Sequence, residues 1–344
     1  MIGFKKLINA KALYQTQDKI WVAKGMKFFA VDYTGKRVSN VYKVGRLKDR
    51  LLGCHRLSSQ LLRVGLHHLL PLQNGNILVT AKRKTYIFNK NGRVVNVWEG
   101  YQGNKPGHQG VCVAPNGSIF FAEYLLNPNR DHDIHLWRST DNGMTFHVVK
   151  TWKAGDIRHL HFVKWDEYEH CLWLGTGDYG DNGSENRLYR SADNGDSWEL
   201  IGQYSQDWRA IGVCFTKDAL LWGTDAGSCP DTVHFVRMDR KTHKIEILQD
   251  FEGPCHGCAS FADGRAFFST GVEGGENEKD NYSRMKEYKD GKCENVWKLQ
   301  KDFWPLILQY GVMRFPLGTD QCDRVVFTTM GLKGHGECLM VENK

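Results

Sequence analysis

Two nearly identical stretches decide how this chain folds: Arg138-Ser-Thr-Asp-Asn-Gly-Met-Thr-Phe146 and Arg190-Ser-Ala-Asp-Asn-Gly-Asp-Ser-Trp198. Both have the form Ser-x-Asp-x-Gly-x-Thr/Ser-aromatic, and they begin 52 residues apart. The pattern predicts a tight turn, because the Asp carboxylate can accept backbone N–H groups and the Gly can adopt a positive φ. The aromatic side chain is then expected beneath the hairpin. Two such turns, each between strand-like runs, indicate a repeated antiparallel unit.

A second repeat extends over the whole chain. Each unit begins with His, Arg or Tyr, continues as an apolar strand, turns, and ends a second strand in a short polar cluster. The units begin at His68, His108, His159, Arg209, His256 and Tyr310, with spacings of 40 to 54 residues. Residues 12–44 supply four more strand-like runs upstream. A period of this size is typical of one four-stranded propeller blade.

The repeats predict an all-β chain, a seven-bladed β-propeller of four-stranded antiparallel blades, with a six-bladed ring as the alternative. The last unit shows only about three strands, whereas residues 3–8 are strand-like and otherwise spare. We therefore expect the N-terminal strand to complete the last blade and remove its exposed edges. No linker interrupts the series, so residues 1–344 are predicted to form one domain. Only residues 47–62 look helical, as a connector or a lid.

The two turn motifs resemble the Asp-box, or BNR repeat, of sialidase-like β-propellers, where the box joins the third and fourth strands of a blade. The architecture is also similar to that of propeller-fold polysaccharide lyases. An Asp-box carries no catalytic role of its own, so the resemblance implies the fold first. A true sialidase is not expected, because the chain has no early Arg-Ile-Pro element.

Charge and cysteine content indicate which partners and which cellular compartment to expect. The net charge of +7 favours anionic partners, but the basic residues are dispersed, and no motif supports nucleic acid as a partner. No apolar window is long enough to span a bilayer, so we expect no membrane partner. Ten cysteines without dense spacing, and an N-terminus unlike a signal peptide, predict a cytoplasmic protein with mostly reduced thiols. The sequence does not indicate an oligomeric state.

The first strand of a propeller blade starts on the face where the second strand ends. The residues that begin the units and the polar residues that end the second strands are therefore predicted to meet on one rim. Candidates at the starts are His68, His108, His159, His161, Arg209, His256 and Tyr310. Candidates at the ends are Glu123, Asp178, Tyr179, Asp225 and Glu273.

The histidines suggest a divalent metal, because the imidazole nitrogen is a common ligand. We expect Mn, Zn, Fe or Ca bound by His108, His159, His161 and His256, and no organic cofactor. Resemblance to the propeller-fold lyases implies elimination on an acidic, uronate-containing glycan. The metal or Arg209 would then neutralise the uronate carboxylate. A His, such as His68 or His108, or a Tyr would take the proton, and Tyr179 or Tyr310 would protonate the leaving oxygen.

Two alternatives stay open. Paired carboxylates, Glu123 with Asp178 or Asp225 with Glu273, could hydrolyse a glycosidic bond. Their groups would need to be about 5–5.5 Å apart for retention or about 6.5–9.5 Å apart for inversion. The rim could instead bind a glycan or a protein without catalysis, since propellers also serve as interaction platforms.

Overall fold

The computed structural model describes residues 3–178, 183–226, 233–276 and 278–342. Within this part of the chain nearly all regular structure is β. Two short helices, α1 (Leu47–Leu52) and α2 (Arg56–Leu61), fall where the sequence predicted helix. Tyr179, a predicted proton donor, lies outside the described residues.

The described residues form twenty-eight strands in seven four-stranded antiparallel sheets. The first three sheets in chain order are β2 (Lys11–Gln15), β3 (Ile20–Lys24), β4 (Lys27–Val31) and β5 (Tyr42–Lys43); β6 (Leu66–Pro71), β7 (Ile77–Ala81), β8 (Lys84–Phe88) and β9 (Val94–Trp98); and β10 (Val111–Val113), β11 (Ile119–Ala122), β12 (Ile134–Ser139) and β13 (His147–Trp152). The next three are β14 (His159–Asp166), β15 (Cys171–Gly177), β16 (Leu188–Ser191) and β17 (Glu199–Gly202); β18 (Cys214–Phe215), β19 (Ala219–Gly223), β20 (His234–Asp239) and β21 (Ile245–Asp250); and β22 (Cys255–Ser260), β23 (Ala266–Thr270), β24 (Tyr282–Lys289) and β25 (Lys292–Gln300). The last sheet joins β26 (Val312–Arg314), β27 (Val326–Met330) and β28 (Cys338–Glu342) to β1 (Gly3–Ile8).

The chain is thus a seven-bladed β-propeller, and the six-bladed alternative is excluded. The last blade confirms the predicted closure, because β1 pairs with β28 and places Phe4 opposite Val341. Phe4 also stacks on Trp297, with ring centroids 4.2 Å apart, so the N-terminal strand is packed as well as hydrogen-bonded.

Burial follows the order of the strands within a blade. Every residue of the second strands β7, β11, β15, β19 and β23 is buried, which explains why these segments are almost continuously apolar. The fourth strands β9 and β17 contain no buried residue. The polar candidate residues therefore lie at the margin of this buried layer, where the second strands end and the first strands begin.

The described residues group into two compact units. Unit 1 comprises Met1–Leu66, Ala219–Asp239 and Lys244–Lys344, and unit 2 comprises His67–Asp218 and Arg240–His243. The prediction of one domain over residues 1–344 stays a prediction. No helix among the described residues is long and apolar enough to cross a membrane.

The two turn motifs join β12 to β13 and β16 to β17, the third and fourth strands of their blades. In the first, Asp141 Oδ1 accepts the N–H groups of Met144 and Thr145, at 3.0 and 2.9 Å, and Gly143 has a φ of 82°. In the second, Asp193 Oδ1 accepts from Ser197 N at 2.9 Å. The Asp carboxylate and a left-handed Gly close both hairpins, as the residue types require.

Three predicted unit starts are not strand starts. His108, Arg209 and Tyr310 lie in loops before β10, β18 and β26, which begin at Val111, Cys214 and Val312. Arg209 follows one turn of 3-10 helix, Gln206–Trp208, which Ser205 caps by accepting the N–H of Asp207. Local capping therefore overrides the strand pattern in this stretch.

Candidate functional site: two histidine–carboxylate clusters

Antiparallel pairing brings the predicted residues together in two places. His159, at the start of β14, is opposite Gly177, the residue before Asp178. In the sixth blade, Cys255 is opposite Thr270, so His256 lies near the segment that carries Glu273. The result is one cluster in each unit. We call them the Asp178 cluster (Arg158, His159, His161, Asp178 and Arg209) and the His256 cluster (Asp225, His256, Glu273 and Tyr310).

Asp178 is the centre of its cluster. Its Oδ2 is 2.8 Å from Arg158 Nη1 and 3.3 Å from His159 Nε2. Its Oδ1 is 3.1 Å from His161 Nε2 and 3.2 Å from Arg209 Nη2. Both imidazole rings are about 99% buried, each being only 1% exposed. A single carboxylate thus serves four cationic or potentially cationic groups.

The Nδ1 atoms of His159 and His161 both contact backbone carbonyls. His159 Nδ1 and His161 Nδ1 are each 2.9 Å from a backbone carbonyl, that of Leu125 and that of Ala210. A carbonyl oxygen only accepts, so both Nδ1 atoms carry hydrogen and both Nε2 atoms face Asp178.

The charge balance disfavours a divalent cation beside Asp178. Arg158 and Arg209 are permanently charged, so one carboxylate already faces two guanidinium groups. A divalent cation would add two more positive charges to a buried position, where unpaired charge is costly. Burial lowers the pKa of His159, against its contact with Asp178. Burial raises the pKa of Asp178, but the hydrogen bonds to His159 and His161 outweigh it and hold that pKa well below its usual range.

The His256 cluster has the opposite balance. His256 Nε2 contacts Glu273 Oε1 directly and is 3.7 Å from Asp225 Oδ1. One ligand atom from each of the three residues lies within 4.8 Å of the other two. Burial lowers the pKa of His256, but Glu273 and Asp225 together raise it to about 9. Two carboxylates thus surround one imidazole.

The His256 cluster is also more accessible. The side chains of His256, Asp225 and Glu273 are 17%, 15% and 25% exposed. Tyr310 covers the imidazole with its ring, at a centroid distance of 6.2 Å and an interplanar angle of 23°. Tyr310 itself is 52% exposed, so its phenol faces solvent beside the carboxylates. Burial, and then Glu273 and Asp225, raise the pKa of Tyr310.

A glycine leaves room for an imidazole in each cluster. A Cβ at Gly271 would lie 2.1 Å from His256 Cδ2. A Cβ at Gly177 would lie 2.7 Å from His161 Cε1. Both distances are shorter than real Cβ atoms tolerate, so an alanine at either position would have to displace the ring.

The remaining predicted residues have local partners. His68 Nδ1 and Nε2 are each 2.8 Å from a neighbour, Thr80 Oγ1 and Gly107 O. Glu123 is completely buried and accepts from Gln102 N, His135 N and Trp137 Nε1 at 2.8–3.0 Å. His108 lies in the loop before β10 and belongs to neither cluster. Their roles as base, acid or metal ligand stay predictions.

A third group of potential ligands, Asp166, Glu169 and Cys171, is structural in character. Asp166 is completely buried and pairs with Arg240, whose Nη2 is 3.2 Å from Asp166 Oδ1. Trp173 Nε1 donates to its Oδ2 at 3.2 Å. Burial, with Asp166 close by, raises the pKa of Cys171 to about 12, which disfavours the thiolate that metal binding needs.

Sequence inspection missed two arginines. Arg158 directly precedes His159, but no spacing rule selects it, and only the fold shows its guanidinium on Asp178. Arg314 lies close enough to His256 to oppose the rise in its pKa, and burial lowers the pKa of Arg314 itself. The adjacency of Arg158 to a predicted site residue was the one available signal.

Comparison with known proteins bears on the fold. Streptogramin B lyase superposes with a TM-score of 0.58 and 16% identity, over 99% of this chain and 97% of that one. The WD40 domain of Neurospora crassa Pan2 superposes with a TM-score of 0.55 and 12% identity, over 99% and 96%. No protein-family model and no curated protein matches the chain. Identities this low show a shared propeller fold, which by itself carries many unrelated functions.

Proposed function

We propose that the protein is a metal-assisted lyase that cleaves acidic, uronate-containing glycans at the His256 cluster. The observation that carries the proposal is the grouping of two carboxylates, an imidazole and a half-exposed phenol in one accessible place. The Asp178 cluster has similar residue types but is enclosed and has excess positive charge. We therefore assign it a structural role and place the metal at His256 rather than at His159 and His161.

The ligand set fits a divalent cation. Asp225 and Glu273 offer carboxylate oxygens, His256 offers Nε2, and the three atoms lie within 4.8 Å of one another. Glu273 and Asp225 both act on His256 and together outweigh the opposing effect of Arg314 on its pKa. Carboxylate suits Mg, Ca and Mn, whereas imidazole suits Zn and Fe, so a mixed set favours Mn, Zn or Fe over Ca. When bound, the metal would neutralise the substrate carboxylate and acidify the neighbouring C–H group.

The chain's own residues would then move two protons. Asp225 lies farther from His256 than Glu273 does, and the carboxylate oxygen of Asp225 that does not hold the metal would accept the proton from carbon. The C–O bond to the leaving sugar breaks as a C=C bond forms. Tyr310 donates its phenolic proton to the leaving oxygen. Its exposure makes it reachable by a chain-like substrate, and its raised pKa keeps it protonated at neutral pH.

The metal and the reaction can be tested together. Elemental analysis of the purified protein is expected to show close to one Mn, Zn or Fe per chain. His256→Ala should lose the metal, whereas the matched variant His159→Ala should keep it. Uronate oligomers should give a product whose new C=C bond, conjugated to the carboxylate, absorbs in the ultraviolet. The lyase proposal is wrong if no oligomer gives this absorbance with or without added metal.

A retaining glycoside hydrolase is the second candidate. Oxygens of Asp225 and Glu273 lie within 4.8 Å of each other, which supports the shorter spacing of about 5–5.5 Å in retaining enzymes over the wider spacing in inverting enzymes. Release of reducing ends without ultraviolet absorbance would favour this candidate. Binding of uronate oligomers without any cleavage would favour the non-catalytic glycan-binding scaffold.

Two broader assignments accompany the proposal. The two Asp-box turns support kinship with the sialidase-like propellers, since their bonding is the same in two successive blades. The nine cysteines among the described residues are all free, which supports a reducing, cytoplasmic setting.

A further inference from the structure

The two short helices expose their leucines instead of burying them. Leu47 and Leu51 of α1 are 64% and 62% exposed, and Leu57 and Leu61 of α2 are 53% and 60% exposed. Each pair is separated by four residues and therefore lies on one face of its helix. An ordinary surface helix packs such a stripe against the core. Here the apolar face of both helices points to solvent.

A second exposed apolar segment lies against α2. Phe303 and Ile307 are 91% and 94% exposed, more than any other large hydrophobic residue among those the structure describes. Arg56, the first residue of α2, links this helix to the loop that carries Phe303 and Ile307. Its guanidinium is 2.6 Å from Asp302 Oδ2 and lies 4.3 Å over the Trp304 ring. We call Leu47, Leu51, Leu57, Leu61, Phe303 and Ile307 the apolar patch.

The helical side of the apolar patch has a basic surround. Residues 46–63 contain five Lys and Arg and a single acidic residue, Asp49. Asp49 is buried and accepts from Arg46 N at 3.2 Å, so it contributes no exposed negative charge. The β3–β4 hairpin adds exposed Lys24 and Lys27 on either side of Gly25, where a Cβ would lie 2.8 Å from Gly53 O, in the link between the helices.

We propose that the apolar patch docks the protein on an anionic lipid surface. Leucine, isoleucine and phenylalanine side chains that stand out from a basic surround are the composition of segments that insert into the headgroup region. A nucleic acid or an acidic glycan would pair with the lysines and arginines but would gain nothing from six exposed apolar side chains. A second copy of the chain would bring two basic surfaces together, so like charges disfavour it.

The proposal departs from the sequence-based expectation of no membrane partner. That expectation rested on the absence of a segment long enough to span a bilayer, and no described helix is long enough. Docking on the surface needs no such segment. It needs the two exposed segments to be adjacent, and these are more than 240 residues apart in the chain.

The test is flotation of the full chain with vesicles. We expect binding to vesicles of phosphatidylcholine mixed with phosphatidylserine, weaker binding to phosphatidylcholine alone, and loss of binding at high salt. The double variants Leu51→Ser/Leu61→Ser and Phe303→Ser/Ile307→Ser should each weaken binding about tenfold, since each removes two side chains from the lipid contact. Lys48→Glu should weaken it at least about fivefold.

Two exposed residues far from the patch in the sequence serve as matched controls. Leu126→Ser changes a leucine that is 68% exposed, and Lys217→Glu reverses an exposed lysine. Neither should change binding. Equal losses in controls and patch variants, or no binding to phosphatidylserine vesicles, would overturn the proposal. So would a concentration-dependent dimer that the patch variants abolish, or binding to a polyanion such as heparin with the vesicle contact unaffected by the leucine changes.

Discussion

The Asp178 cluster and the His256 cluster contain the same kinds of residue and differ in charge and enclosure. In the first, one carboxylate is shared by two arginines and two histidines that are 1% exposed. In the second, two carboxylates face one histidine, and a tyrosine that is 52% exposed lies beside them. The first has four donor groups around one carboxylate, whereas the second has two carboxylates beside one imidazole and is more accessible.

The difference teaches that residue type alone does not locate a metal site. His159 and His161 look like ligands because two histidines project from one strand. Their carboxylate partner, however, is already neutralised by guanidinium groups. His256 looks isolated in the sequence, but the fold supplies it with two carboxylates. The following experiments test this difference between the clusters, beginning with the largest expected effect.

Tyr310→Phe should have the largest effect. Removing a general acid typically lowers the rate by about 10²–10⁴-fold. Because the phenol is not one of the metal-ligand atoms, we expect kcat on uronate oligomers to fall by that factor with metal content unchanged. Steady-state kinetics with elemental analysis would measure both. An unchanged kcat would show that Tyr310 takes no part in the mechanism. The functional difference between the two clusters would then depend on metal binding alone.

Asp178→Ala should chiefly affect stability. The change leaves two guanidinium groups and two buried imidazoles without their carboxylate, and breaking a buried ion pair costs about 3–5 kcal/mol. Glu273→Ala is the matched change in the accessible cluster; it removes the main partner that raises the pKa of His256 and should cost about 1–3 kcal/mol in metal-free protein at pH 7. Urea denaturation would compare the two free energies of unfolding. Equal losses would show that the clusters do not differ in structural importance.

The two clusters should respond to pH in opposite directions. The pKa of His256 is raised from 6.5 to about 9, so its contribution to metal-free protein is complete below pH 6.5 and is lost as pH rises to 9. This amounts to on the order of 3 kcal/mol. The pKa of His159 is lowered from 6.5, so its contribution is present above pH 6.5 and is lost as pH falls.

Denaturation at several pH values, with chelator present, would show these trends. His256→Gln should flatten the alkaline side of the stability profile, and His159→Gln should flatten the acidic side. A His256→Gln profile that keeps the alkaline loss would mean that another group is responsible for it.

The glycine variants should have the smallest effects. Gly271→Ala forces a Cβ towards His256 Cδ2 and is expected to weaken metal affinity about tenfold, with little change in stability. Gly177→Ala crowds His161 in an enclosed setting and should cost about 1–3 kcal/mol of stability through overpacking. Metal titration and urea denaturation on both variants would separate the effects. If Gly177→Ala reduced metal affinity instead, the metal site would have to be assigned to the Asp178 cluster.

Much of the fold could be predicted because its information is local. A repeat of about 50 residues, Asp-Gly turns at Asp141 and Asp193, and apolar second strands each act within one blade. Even the closure by β1 followed from counting strands. The proximity of His159 to Asp178 was also predictable, since antiparallel pairing places the start of one strand beside the end of the next.

What could not be predicted depends on side chains that reach across from separate segments. Arg158 and Arg209 converge on Asp178 from two different loops, and nothing in their spacing reveals it. Glu123 looked like a rim carboxylate, but it accepts from Trp137 and from two backbone N–H groups. A carboxylate's role depends on which donors reach it.

The sequence alone predicted a propeller of seven or six blades, the hairpin turns, the closing strand and the residues that could form a site. These features follow from hydrophobic periodicity and turn chemistry, which act over a few residues. Only the tertiary structure decided how the charges were shared, and which histidine received two carboxylates. It also brought α2 beside the loop that carries Phe303 and Ile307. Charge balance and burial depend on all the neighbours of a residue in space, and the order of residues along the chain does not specify those neighbours.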